Sequence, residues 1–184
     1  MTRFRISSDT AWLAIVVLVV TALLFTVQLF TVPAAARTRR RTVDRAVADL
    51  AADRTVGPAT LLDPGTAAAG AAVIAYYELD NGQSYVVQLM VEGHRSPMQL
   101  LVGLQRNGSI FALRMIESGE LLWAIARAPG FLDPLIGSGA ERPIPRSVSQ
   151  LDGDSYAAVS GASITFAAIA EAVLQANRFV EELP

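Results

Sequence analysis

Three hydroxyl side chains, Ser160, Ser163 and Thr165, are interleaved with Gly161, Ala162 and Ile164 immediately before an amphipathic stretch. Residue types in this pattern suit an anion. The first turn of a helix carries backbone N–H groups without intrahelical partners and the positive end of the helix dipole, and phosphate is the usual guest there. Gly161 and Ala162 add little bulk, so a ligand can come close to the backbone. The same pattern also satisfies an ordinary N-cap, because Ser and Thr are preferred at that position. Spacing alone leaves both readings open. Thr165 is either a second phosphate contact or a hydroxyl within the first three helical positions.

The rest of the chemistry-bearing inventory is thin. The 184 residues include no cysteine, which removes disulfides, thiolate zinc sites, iron–sulfur clusters and thiol nucleophiles together. His94 is the only histidine, so a multi-histidine metal site is excluded, and no nucleophile spacing points to a triad. In Gly93-His94-Arg95-Ser96-Pro97 it reads as a solvated or stacking side chain in a turn. Asp152 and Asp154 flank Gly153 as an acidic loop, and two carboxylates do not complete a calcium shell. The 15 basic residues, all arginine, face 17 acidic ones for a net charge of −2, which offers no basic face able to hold a nucleic-acid backbone by counterion release. Nucleic acid is therefore not an expected partner.

The elements that must position the hydroxyl turn follow from hydrophobic periodicity. Phe166, Ile169, Ala170, Val173, Leu174 and Val180 recur at helical spacing and predict a one-faced helix over 165–182. Upstream, β-rich runs at 73–79 and 85–91 flank Asp80-Asn81-Gly82, a strong hairpin signal. A second pair, 98–104 and 110–116, is joined through Gln105-Arg106-Asn107-Gly108. Four strands in this order predict an antiparallel meander with one face on a core. Between 117 and 150 the chain is less regular: 121–127 reads as helix, with Trp123 in the core or on a contact patch for another membrane subunit, and four prolines break the stretch after it. Residues 37–54 place Val43, Val47, Leu50 and Ala51 on one helical face, and Gly57-Pro58 and Asp63-Pro64-Gly65 end that helix in a turn-rich linker. The expected fold class is α+β: a small antiparallel sheet packed by a C-terminal helix.

The N-terminal part is of another kind. Residues 11–30 carry no charge and only Thr21, Thr26 and Gln28 as polar interruptions, the length needed to cross a hydrocarbon core. An apolar run of this length exceeds that of a signal peptide, so an uncleaved anchor is expected, with Trp12 at the interface. Arg3 and Arg5 precede the run, whereas Arg37, Arg39, Arg40, Arg41 and Arg45 come after it. By arginine count alone the large domain would face the cytoplasm, but that rule is weak ahead of a long domain. The expected organisation is an N-terminal tail 1–10, a transmembrane helix 11–33, an amphipathic helix and linker 34–70, and a folded domain 71–184.

Ser160-Gly161-Ala162-Ser163-Ile164-Thr165 resembles the Ser-Gly-Ala-Thr-Ile-Thr motif of the FMN-binding subunits of ion-translocating electron-transport complexes, those of the Rnf complex and of the sodium-pumping NADH:quinone reductase. A second segment is similar too: Gly93-His94-Arg95-Ser96-Pro97-Met98-Gln99-Leu100-Leu101-Val102-Gly103, then the Asn107-Gly108 turn, resembles the family's Gly-Tyr-x-Gly-x-Ile-x-Leu-Leu-Val-Gly stretch. Together with one N-terminal span, the likeness covers nearly the whole chain, and the shorter length favours the Rnf protein.

The resemblance implies FMN attached through a phosphoester to Ser163, with Ser160, Gly161, Ala162 and Thr165 around it. It also implies a single-pass protein of the inner membrane with its domain on the extracytoplasmic side, other membrane subunits of an Rnf-like complex as partners, and a flavin transferase. The protein would then be an electron carrier within a complex rather than a stand-alone enzyme. Three positions depart from the family: Ser163 replaces threonine, Ala157 stands where an acidic residue is read by the transferase, and Glu117-Ser118-Gly119-Glu120 replaces a Glu-Thr-Pro-Gly loop near the flavin. Glu117 and Glu120 read as a solvated pair or as carboxylates near the flavin edge. The alternative is a flavin-free structural or assembly subunit of the same kind of complex.

Overall fold

The structure, a computed structural model, describes residues 8–62, 71–93, 96–118 and 128–183, without the side chains of 8–11, 14, 27–36 and 117–118. The chain divides into two compact units, Met1–Val43 and Asp44–Pro184. Helix α1 (Ser8–Ala51) supplies the first unit, and its last two turns belong to the second. In the first unit, large apolar side chains such as Leu18, Leu24 and Phe25 are exposed around the helix, and the two threonine hydroxyls turn inward: Thr21 donates to the Val17 carbonyl at 2.8 Å and Thr26 to that of Ala22 at 2.7 Å. Among the described residues no single helix is long and apolar enough to cross a membrane.

The second unit is α+β. Five strands, β1 (Val56–Leu61), β2 (Ala71–Leu79), β3 (Ser84–Glu92), β4 (Pro97–Gln105) and β5 (Ile110–Ser118), form one antiparallel sheet in sequence order. The meander is thus as expected but one strand larger. The segment 34–70, expected to pass from helix to linker, contains β1, so the folded unit begins well before residue 71. Gly57-Pro58 suggested a turn; the two residues instead sit where the β1–β2 register shifts, between Val56↔Leu79 and Ala59↔Tyr77, on the sheet's edge. A proline is tolerated there because an edge strand need not donate to a ladder on both sides.

Alternation assigns the faces. Tyr85, Val87, Leu89 and Val91 of β3 and Met98, Leu100, Val102 and Leu104 of β4 form one core with helix α3 (Ser163–Glu181), which contributes Phe166, Ile169, Ala170, Val173, Ala176 and Val180. Phe131 meets Phe166 edge-on at 6.0 Å. Leu79, Val86 and Leu101 point to the opposite face and are also buried. From that face Arg114, paired with Leu101 across the ladder, reaches Asp49 of α1 at 2.7 Å; of the α1 residues expected on one face, Val47 and Ala51 are buried and Leu50 is half-buried, and Ala46 is buried beside them in the chain. Both faces are therefore covered, against the expectation of one.

Two helical features differ from the sequence reading. The C-terminal helix starts at Ser163 rather than at 165, so Ser163 lies inside it. The acidic loop is a helix start: α2 (Gly153–Val159) begins at Asp152, whose Oδ1 accepts from the Ser155 N–H at 3.0 Å. The helix expected at 121–127, with Trp123, and residues His94 and Glu120 lie outside the described residues, as does the Glu117 side chain.

Candidate functional site

Helices α2 and α3 meet at 106° across a turn of three residues, 160–162. The chain turns so sharply because Gly161 adopts φ +89°, a conformation costly for any residue with a Cβ. Ser160 closes α2, its N–H reaching the Ala157 carbonyl at 3.3 Å. Ala162 is the N-cap of α3: its N–H donates to the Val159 carbonyl at 3.1 Å, and its own carbonyl accepts the first helical bond, from Phe166, at 2.9 Å. An alanine has no side-chain oxygen to offer, and no described side chain caps this helix. The hydroxyls are thus not serving as the ordinary N-cap.

The six residues split by exposure. Ser160, Gly161 and Ser163 are exposed, whereas Ala162 and Thr165 are buried at 2% and 1% exposure beside Phe166. Ser163 occupies the first helical position with its hydroxyl open to solvent, while Thr165, at the third, faces the core. The side chains of Ala162 and Thr165 are turned inward, and their backbone N–H groups remain part of the turn. Ile164, 59% exposed, and Tyr156, 52% exposed, supply apolar surface in the same segments. Ile164 follows Ser163 directly, and Tyr156 lies seven residues before it, on α2.

The electrostatics of the two helix starts differ. At α2, the Asp152 carboxyl is held below its ordinary value of 3.8, first by its hydrogen bonds to Ser155 and also by the charge of Arg142. At α3 the first acidic side chain is Glu171, two turns into the helix, and the first turn holds no acidic residue, so the positive end of its dipole is uncompensated. Asp154 and Ala157, the positions nearest to the family's acidic signal, are both exposed.

Among the described residues three clefts stand out on this unit, and none of them is lined by residues 160–165. One of about 520 Å³ lies between Arg142, Ile144, Gln150 and Asp152; one of about 260 Å³ runs beside β5 at Arg114, Met115 and Leu132; the third, about 360 Å³, is a polar cleft among Arg54, Asp80, Gln83 and Arg106. The last was missed in the sequence, where its signal was two Asn-Gly turns, 81–82 and 107–108, that a meander brings to the same end. Among the described residues no group of three His, Cys, Asp or Glu is placed to hold a metal ion. No family model matches the chain, and no curated protein matches it.

Proposed function

We propose that this chain is a membrane-anchored electron-transfer subunit of an Rnf-like ion-translocating oxidoreductase complex, with FMN carried through a phosphoester at Ser163. The observation that carries the reading is the exposed Ser163 hydroxyl on the first turn of a helix that no described side chain caps. An esterified phosphate there would meet free backbone N–H groups and the positive end of the dipole. Ser160 and Gly161 would border the phosphate, the backbone of Ala162 and Thr165 would complete the turn, and Ile164 and Tyr156 would offer apolar surface to the ring. FMN supplies one- and two-electron redox chemistry; the protein fixes its place and its electrostatic surroundings.

Residues 11–33 of α1 serve in this reading as the transmembrane anchor. The uncharged run 11–30, helical throughout, is about 30 Å long, and the threonine hydroxyls within it are satisfied by their own helix, as hydrocarbon demands. The domain then sits on the extracytoplasmic side of the inner membrane, with other membrane subunits and a flavin transferase as partners. Ala157 at the transferase position and the buried Thr165 hydroxyl favour a second reading, a flavin-free assembly subunit of the same kind of complex. Purification from native membranes separates the two: a flavin absorption band that survives denaturation, together with copurifying membrane subunits, supports the first, and a colourless protein in the same complex supports the second.

A further inference from the structure

We propose that the polar cleft among Arg54, Asp80 and Arg106 binds a small hydroxylated anion, of the sugar phosphate or hydroxy acid class. The topology builds it. Val56 and Ser84 both flank Leu79 and the β2–β3 turn, and Ser84 pairs with Gln105, so residues 52–55, 80–83 and 106–109 gather at one end of the sheet. This is the Asn177 end of α3, where the Asn177 amide donates to the Gly108 carbonyl, about 21 Å along the helix from Ser163. The cleft is a separate place from the hydroxyl turn and does not depend on the flavin reading.

A stack of three groups holds Arg54. Gly103 has no Cβ, and one built there would lie 2.6 Å from the Phe111 ring, so the far end of the ring packs closely against the glycine. The Arg54 guanidinium in turn lies 3.9 Å above that ring. Helix α1 delivers the arginine by ending in Ala52 at φ +53°, a left-handed conformation an alanine adopts only at a cost. Arg54 makes one long ion pair, Nε to Asp80 Oδ2 at 3.9 Å, and its terminal nitrogens make no hydrogen bond to a described residue. Arg106 is fixed by its N–H to the Gln83 carbonyl at 3.0 Å and by Nη1 to the Tyr85 hydroxyl at 3.3 Å.

Asp80 defines the rest of the ligand. Its Oδ1 accepts from the Thr55 N–H at 3.0 Å and from the Thr55 hydroxyl at 3.1 Å, leaving Oδ2 as an acceptor in a cleft that two guanidiniums make positive. A simple oxyanion would satisfy the arginines and meet the carboxylate unfavourably. An anion that also carries a hydroxyl donates to Oδ2 while its phosphate or carboxylate takes the guanidinium forks. Gln83 and Asn107, on the walls, add amide donors and acceptors, and the volume of about 360 Å³ suits a metabolite-sized ligand. Ala52, Asp80 and Asn81, the described non-glycine residues with positive φ (53°, 49° and 57°), all belong to the turns that form this end.

The test is calorimetric titration of the full-length protein in detergent with glycerol 3-phosphate, inorganic phosphate and glycerol. Saturable binding of glycerol 3-phosphate, weaker binding of inorganic phosphate and none of glycerol are expected. Arg54→Gln and Arg106→Gln should each weaken glycerol 3-phosphate by about tenfold or more, the loss of a charge-assisted fork, with Ser163→Ala unchanged. Arg106 is exposed, so its variant keeps the fold and carries the test alone if Arg54→Gln unfolds. The proposal is overturned by absent saturation, by Arg106→Gln binding as the wild type does, by inorganic phosphate binding as tightly as glycerol 3-phosphate, or by loss of binding in Ser163→Ala.

Discussion

Helix α3 is fastened at one end and open at the other. Toward its C-terminus the buried Asn177 amide donates to the Gly108 carbonyl, and the surroundings are so close that a Cβ on Gly139 would lie 2.0 Å from that same oxygen. At its N-terminus the cap is an alanine, the first-turn N–H groups meet no described side-chain acceptor, and Ser163 and Ile164 face solvent. Ten residues earlier α2 solves the same problem with Asp152. The contrast teaches that an open helix start in this unit is a choice of residue and not a limit of the fold. Hydrogen-bonding capacity satisfied internally at Asn177 and Asp152 is left available at Ser163.

The largest effect should come from closing the fastened end. Gly139 has φ +119° and no room for a side chain, so Gly139→Ala should cost about 3 kcal/mol of stability from overpacking and backbone strain, read by chemical denaturation. Next comes Asn177→Ala, which leaves the Gly108 carbonyl without its partner and should cost about 2 kcal/mol. The open end should answer in the opposite direction. Ser163→Asp places an acid on the first turn of an uncapped helix and should raise stability by about 0.5 kcal/mol, while abolishing any ester at that position. A loss of stability from this variant would break the comparison.

The smallest effect concerns the capped start of α2. The Asp152 carboxyl sits below 3.8 in the folded protein, so its stabilisation is fully present above that value and is lost as pH falls through the lowered folded value. Asp152→Asn keeps an acceptor for the Ser155 N–H and should flatten the acid limb of the thermal-unfolding profile while leaving the neutral midpoint nearly unchanged. A wild-type profile that does not steepen at acid pH relative to the variant would contradict the assignment.

Much of the scaffold was legible because it rests on short-range patterns. The Asn81-Gly82 and Asn107-Gly108 turns fixed two hairpins, and the spacing from Phe166 to Val180 fixed α3 to within two residues. What stayed hidden depends on distant partners. β1 carries Gly57-Pro58, read as a turn, and becomes a strand only because an edge beside β2 tolerates both. Helix α2 spans seven residues, too few for periodicity, and declares itself only through the Asp152 cap. In the hydroxyl turn the sequence offered five candidate residues without saying which way each faced. The inward turn of Thr165 and Ala162 follows from the packing of the whole unit, which no local pattern encodes. The cleft at the other end depends on three loops far apart in sequence.

The central claim is that the open hydroxyl of Ser163 carries FMN, and intact-protein mass under denaturing conditions tests it most directly. The protein purified from its native membrane should be heavier than its sequence by one FMN less water, and Ser163→Ala should return to the unmodified mass while Ser160→Ala keeps the addition. An unmodified native protein, or an addition that persists in Ser163→Ala, would contradict the account.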